Sequence, residues 1–179
     1  MRKLPLIASA LAICALSGVA AWVSARPAIE GWREIAWPFP RDGWPAGRAF
    51  RCDAVLCGGE IELYVRPKIG FCNCDNGVAD DDEVDRVADV DLISERFDPV
   101  EQGKAIEVAG MKGRLRSYRL QMAAGPQHAA VGMAVSRRCD LLVASAHGKG
   151  EASEVRRVAL SFLGRDDMER WIKTVLDGR

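Results

Sequence analysis

The chain has 179 residues, 25 Lys and Arg against 25 Asp and Glu, 49% hydrophobic but only 7% aromatic residues, and 6 Cys and 2 His. One domain is the expectation at this length, and the charge balance argues against a nucleic-acid partner, because neutralising phosphates needs a clear basic excess. The hydrophobic fraction argues against disorder, and two histidines cannot build a His-rich metal centre.

Arg2 and Lys3 precede an uncharged apolar run, 4–23, that ends at Val23-Ser24-Ala25. A basic start, an apolar stretch and small residues at the end are the marks of a secretory signal peptide. Retention as an N-terminal membrane anchor competes with cleavage, since about 20 apolar residues suffice to span a bilayer. Pro5, Ser9, Ser17 and Gly18 weaken that reading. Cys14 follows Ile13, where lipid attachment wants a small side chain, so it reads as an ordinary residue of the run. Both readings export residues 26–179, to the periplasm or as a secreted or inner-membrane-anchored protein.

Beyond residue 25 the charge divides unevenly. Residues 26–100 hold 9 basic and 16 acidic residues, whereas 101–179 hold 14 and 9, so the neutral total conceals −7 beside +5. Residues 26–48 form a Pro/Trp-rich entry segment, with Trp32, Trp37, Pro38, Pro40, Trp44 and Pro45 close together. Proline blocks helix interiors and central strands, so an irregular or extended path is expected, its tryptophans packed on the domain as a belt.

A single α+β domain is expected over 49–179. Gly58-Gly59 separates 50–56 from the alternating 60–65, which predicts a β-hairpin, and a short strand is expected after Pro67. Asp80 with Glu83 has capping-box spacing and opens an acidic central helix whose apolar stripe is Val84, Val87, Ala88 and Leu92, interrupted by Asp91. That helix should end before Asp98-Pro99. Runs 106–109, 114–122, 129–136 and 141–145, separated by glycines and short polar links, predict an antiparallel meander. Val155, Val158, Ala159, Phe162 and Leu163, then Met168, Trp171, Ile172, Val175 and Leu176, repeat at helical spacing on either side of Gly164. The expected fold is an antiparallel sheet of about 5–7 strands, with the acidic central helix and two C-terminal amphipathic helices packed on one face.

The chemistry-bearing candidates are few. Export makes disulfides the leading use of Cys52, Cys57, Cys72, Cys74 and Cys139; Cys52 with Cys57, and Cys139 with Cys72 or Cys74, are the pairings considered. A four-thiolate zinc site from Cys52, Cys57, Cys72 and Cys74 competes, although its spacings depart from the usual two-residue gap. Asp75, Asp80, Asp81, Asp82 and Glu83 offer oxygens to a hard divalent cation, against the plainer reading of a solvated acidic helix start. Lys112, Arg114 and Arg116 alternate along one strand, with Arg119 following. They read as an anion or partner patch or as the charged outer face of an edge strand, with the acidic segment as a structural counterpart. His147-Gly148-Lys149-Gly150 looks like a basic loop, and neither His128 nor His147 has a nucleophile or carboxylate at helpful spacing. No nucleophile elbow, phosphate loop, zinc-protease helix or dinucleotide fingerprint is present, so no catalytic residue is assigned.

The stretch Phe50-Arg51-Cys52, Cys57-Gly58, Lys68-Ile69-Gly70-Phe71-Cys72-Asn73-Cys74 and Gly77-Val78-Ala79-Asp80-Asp81 resembles a family of small exported bacterial proteins. The resemblance implies export and brings no activity or ligand with it. The expected function is an exported, disulfide-stabilised, non-enzymatic accessory or binding module without a cofactor. Its partner would be a periplasmic protein, with membrane contact only through an uncleaved N-terminal segment. The alternatives are a divalent-cation binder using segment 75–91 or the cysteines, and an enzyme with an unrecognised or thiol-based site.

Overall fold

Eight strands form one antiparallel sheet in the computed structural model, which describes residues 31–40, 42–70, 77–123 and 125–177. In chain order they are β1 (Trp32–Ile35), β2 (Arg48–Cys52), β3 (Ile61–Lys68), β4 (Phe97–Pro99), β5 (Lys104–Val108), β6 (Met111–Leu120), β7 (His128–Arg137) and β8 (Asp140–Gly148). The helices among the described residues are α1 (Ala54–Cys57), α2 (Asp81–Val87), α3 (Val90–Ile93), α4 (Ala152–Leu163) and α5 (Asp166–Asp177). The spatial order is β1-β2-β3-β8-β7-β6-β4, and β5 pairs with the other end of β6. The mixed α+β class holds, but the sheet is larger than the expected 5–7 strands. The additions come from the entry segment, which supplies β1 against β2, and from Asp98-Pro99, which pairs with Arg119 and Tyr118.

β3 is longer than the hairpin reading allows. Instead of ending at Val65, it runs through Pro67 to Lys68, with Pro67 opposite Leu142 of β8, and the short strand expected after Pro67 falls largely outside the described residues. The chain leaving β2 is not a bare glycine turn either. One turn of helix, α1, fills it, the Cys52–Cys57 disulfide ties its ends across a Cα separation of 6.2 Å, and Gly58 closes it with a positive φ of 72°. His147 and Gly148, read as loop, are the last residues of β8.

Side-chain parity along β3 sorts the layers. Leu63 faces the side where Phe50, its neighbour on β2, packs its ring 4.7 Å from Phe162 of α4, and where Trp32 lies 4.5 Å from the same ring. The α4 stripe Val155, Val158, Ala159, Phe162 and Leu163 is buried, as are Met168, Ile172 and Leu176 of α5, so the helical period in the sequence marks the true inward faces. α5 begins at Asp166, with Asp166, Asp167 and Glu169 in its first turn.

The acidic helix packs on the other face, against Tyr118, Leu120, Ala130, Ala134, Leu141 and Val143. The expectation of helices on one face is therefore corrected: the sheet is covered on both. The helix is also broken in two. α2 starts at the Asp80 cap, whose side chain accepts the Glu83 amide at 2.9 Å, and ends at Ala88; Asp89 then takes a left-handed φ of 58° before α3. Where this junction crosses β7 the sheet carries Gly132. A Cβ there would sit 2.9 Å from Ala88 Cβ and Val90 Cγ2 and 3.0 Å from the Tyr118 ring.

Gly132→Ala should therefore overpack the α2–α3 layer and lower stability by about 1–3 kcal/mol, read by chemical denaturation. An unchanged midpoint would mean that this layer is not held at its described distance.

Candidate functional site

The two charged segments named from sequence meet each other. Arg114 and Arg116 of β6 face α2: Arg114 Nε donates to Asp81 Oδ1 at 2.5 Å, and Arg116 Nη1 donates to Asp85 Oδ2 at 2.5 Å. Asp81 also accepts the Gly103 amide at 2.9 Å, and Tyr118 Oη donates to Asp85 at 2.6 Å. The Gly103 amide and then Arg114 hold the Asp81 carboxyl below the usual carboxylate range. Asp80 caps α2, Glu83 is buried beside Arg86 at 3.3 Å, and Asp82, Lys112 and Arg119 are exposed. Asp75, Cys72 and Cys74 lie outside the described residues. Cys52 and Cys57 are bonded to each other, and Cys139 is also in a disulfide. With Cys52 and Cys57 oxidised, the four-thiolate zinc reading is set aside. Among the described residues no three His, Cys, Asp or Glu side chains come together as metal ligands, and no helix is long and apolar enough to cross a membrane.

Two further clusters lie on the β3 face that points toward α2 and α3. The first is ionic and deeply buried. Arg66 is 2% exposed, yet its guanidinium donates to Asp89 at 2.6 and 2.9 Å and to Asp42 at 2.8 and 2.6 Å. Lys68 Nζ donates to Asp89 Oδ1 at 2.7 Å and to the Val87 carbonyl at 2.8 Å. Trp37 lies over Arg66 at 5.7 Å and Trp44 over Lys68 at 5.9 Å, so these two entry-segment tryptophans pack on the domain by covering its cations. Two cations and two carboxylates balance, and bidentate geometry satisfies the fork donors, which makes this a structural joint.

The second cluster gathers both histidines of the chain. Glu62 and Tyr64 of β3 lie opposite His147 and Ser145 of β8, and His128 sits two residues from Ala130, the β7 partner of His147. Tyr64 Oη donates to Glu62 Oε2, and Arg51 Nε donates to Glu62 Oε1 at 2.7 Å. His147 Nε2 faces Glu62 Oε2 at 3.6 Å and Tyr64 Oη at 3.5 Å, while its Nδ1 is 3.0 Å from His128 Nδ1. The His147, Tyr64 and Arg51 donors hold the Glu62 carboxyl at about 2 despite its burial. Burial and then the carboxylate push the Tyr64 hydroxyl upward, so it stays a donor. Burial and then the neighbouring His147 push the His128 imidazole downward. Trp37 and Phe39 pack edge-on to Tyr64 at 6.1 and 4.7 Å and wall the cluster off from Arg66. Ser145 precedes His147 by two residues on the same face, but its buried hydroxyl makes no hydrogen bond, so no serine–histidine–carboxylate set is assembled.

Sequence reasoning passed over both clusters because Glu62, Tyr64, Arg66 and Lys68 alternate with apolar residues, the pattern of a strand with one wet face. The available signal was the tryptophan density of the entry segment, which has no apolar face of its own to bury against. An open cavity of about 420 Å³ lies near the cluster, lined among others by Gln127, His128, Arg119 and Glu151. No protein-family model matches this chain, and a search of curated proteins returns no match.

Asp89→Asn should cost about 3–5 kcal/mol, because it removes the carboxylate that pairs with Lys68 and leaves Asp42 alone to balance two buried cations; the measurement is the denaturant midpoint at neutral pH. Acid should destabilise the fold in a defined window. Asp42, held near 2 by Arg66, and Glu62, held near 2 by His147, ionise more readily folded than unfolded, so their contribution is complete above their ordinary values of 3.8 and 4.5 and is lost as pH falls toward 2. Glu62→Gln should lower stability at pH 7 and flatten this loss between pH 4.5 and 2 in a thermal-unfolding series.

Proposed function

We propose that the chain is an exported, disulfide-stabilised accessory module that binds a periplasmic protein, and that the disulfide-closed turn around α1 is its contact surface. Export rests on the leader-like residues 1–25 and the use of cysteine in disulfides, which persist in oxidising compartments. The observation that carries the binding role is the display of Val55 at 90% and Leu56 at 66% exposure, side by side on one turn of helix. Covering two neighbouring apolar side chains with a partner removes them from water, which favours association at this turn. The turn is held by the disulfide, by the Asp53 amide donating to the Gly31 carbonyl at 3.1 Å, and by Gly31 itself, where a Cβ would meet Leu56 at 2.9 Å. Asp53 and Glu60 are exposed beside it, so the partner it fits is a protein with an apolar recess and a basic rim.

The internal pairing of Asp81 and Asp85 with Arg114 and Arg116 favours this reading over cation capture by the acidic segment. The geometry of Glu62, His147 and His128 keeps the enzymatic alternative as a second reading, since a carboxylate orienting one imidazole toward another is an acid–base arrangement.

The test places a photocrosslinking residue at position 55, and at Lys173 on α5 as a control, in the full chain expressed with its own leader. A discrete adduct from 55, absent from 173 and lost on combining Asp53→Lys with Glu60→Lys, is the expected outcome. Adducts that ignore the charge reversal, or that are equal from both positions, overturn the proposed surface. Non-reducing mass spectrometry of the cell-envelope fraction checks export separately. Reduced Cys52 and Cys57 in a cytoplasmic pool would overturn it.

A further inference from the structure

We infer that His128 and His147 form a proton-sharing pair that works as an acid-sensitive latch on the start of β7. The two rings lie 24° from coplanar with centroids 5.2 Å apart, while their Nδ1 atoms are only 3.0 Å apart. A separation that close to the nitrogen distance plus the reach of each ring means that the imidazoles meet edge to edge. The contact is an in-line N–H···N hydrogen bond, and it needs one proton between two nitrogens.

The neighbours decide where the proton sits. Glu62 is ionised and engaged by Arg51 and Tyr64, so the His147 nitrogen facing it, Nε2, carries a hydrogen. His147 Nδ1 is then the acceptor and His128 Nδ1–H the donor, which leaves the outer His128 Nε2 with its lone pair. A first added proton enters on His128 Nε2. The shared hydrogen can then pass to His147, setting the positive charge beside Glu62 while the hydrogen bond survives. A state with both rings charged would put two N–H groups against each other across 3.0 Å, which removes the bond and adds like-charge repulsion.

The groups facing the pair are Glu62 and Tyr64 from β3, Glu60 before it, Lys149 after β8, Arg51 of β2 through Glu62, and, across the open cavity beside His128, Arg119 of β6 and Glu151 before α4. Trp37 and Phe39 contribute only rings, through Tyr64. His147 is 7% exposed and held on its other edge, so it stays. His128 is half-buried, is the first residue of β7, and follows the exposed Gly125-Pro126-Gln127 turn, so it is the side that yields. The sign follows from linkage. An imidazole that charges less readily folded than unfolded supports the closed form above its ordinary value of 6.5, and that support is withdrawn as pH falls below it.

The experiment is hydrogen exchange of the full purified chain, corrected for intrinsic rates, together with imidazole NMR, from pH 7.5 to 4.5. The expected result is that amides at 128–130 open about tenfold more for each pH unit once the doubly charged state is being reached, while those at 158–163 do not move. His128→Asn should abolish the pH dependence. Flat exchange at 128–130, or an unchanged response in His128→Asn, overturns the latch. Should His128→Asn fail to fold, the wild-type imidazole signals decide: two independent single-site titrations refute proton sharing, and two linked steps support it. The outcome is independent of whether the α1 turn binds a partner.

Discussion

The fold depends on the pairing of Arg66 with Asp89. A guanidinium 2% exposed on the face of a sheet is tolerable only with its charge and its donors both matched, and here one carboxylate arrives from the α2–α3 junction and another from Asp42 of the entry segment. Replacing such a cluster by apolar residues can leave stability equal or higher, so the pair is better understood as fixing registration. Asp89 reaches Arg66 and Lys68 from a left-handed conformation, one that Asp adopts more readily than most residues. That conformation is the break between α2 and α3, and it sets both helices at one height over Gly132. Trp37 and Trp44 then close over the cations, so the same ionic joint pulls the Pro/Trp-rich segment onto the domain.

The same sheet face carries a second polar cluster with opposite behaviour. Around Arg66 the charges balance and the guanidinium donors are satisfied. Around Glu62, Arg51 and Tyr64 donate to the carboxylate, and His147 turns its other ring nitrogen to His128 at 3.0 Å. Tyr64, walled by Trp37 and Phe39, separates the locked cluster from the titratable one. A single strand, β3, thus supplies the structural anchor, Arg66, and, four residues before it, the Glu62 carboxylate that His147 of β8 faces, while the exposed α1 turn joins β3 to β2.

Legibility in the sequence followed the physical origin of each element. α4 and α5 were readable because their burial depends on one periodic face, as Val155 to Leu163 and Met168 to Leu176 show. β6, β7 and β8 were readable because glycine and polar links punctuate them, although each is longer than its apolar run. β1 was missed because prolines dominate its surroundings, and β4 because Asp98-Pro99 reads as a stop; both are short edge strands, where such residues are tolerated. Of the functional candidates, Cys52 with Cys57 was one of the pairings considered, and the structure bonds them to each other, a choice that spacing alone does not make. The salt bridges of Arg114 and Arg116 with Asp81 and Asp85 could be read as a complementary pair of charged segments, but their register could not.

By itself, the sequence determined the leader-like start, the α+β class and the amphipathic C-terminal helices, because each of these arises from residues close together in the chain. The tertiary structure decided which polar residues are interior. Glu62, Tyr64, Arg66 and Lys68 look like a solvated strand face until the entry segment and α2–α3 fold over them. His128 and His147 look idle until the β7–β8 register brings them within a hydrogen bond. Burial and cross-strand proximity depend on what the rest of the chain covers, and no local pattern of residues encodes that.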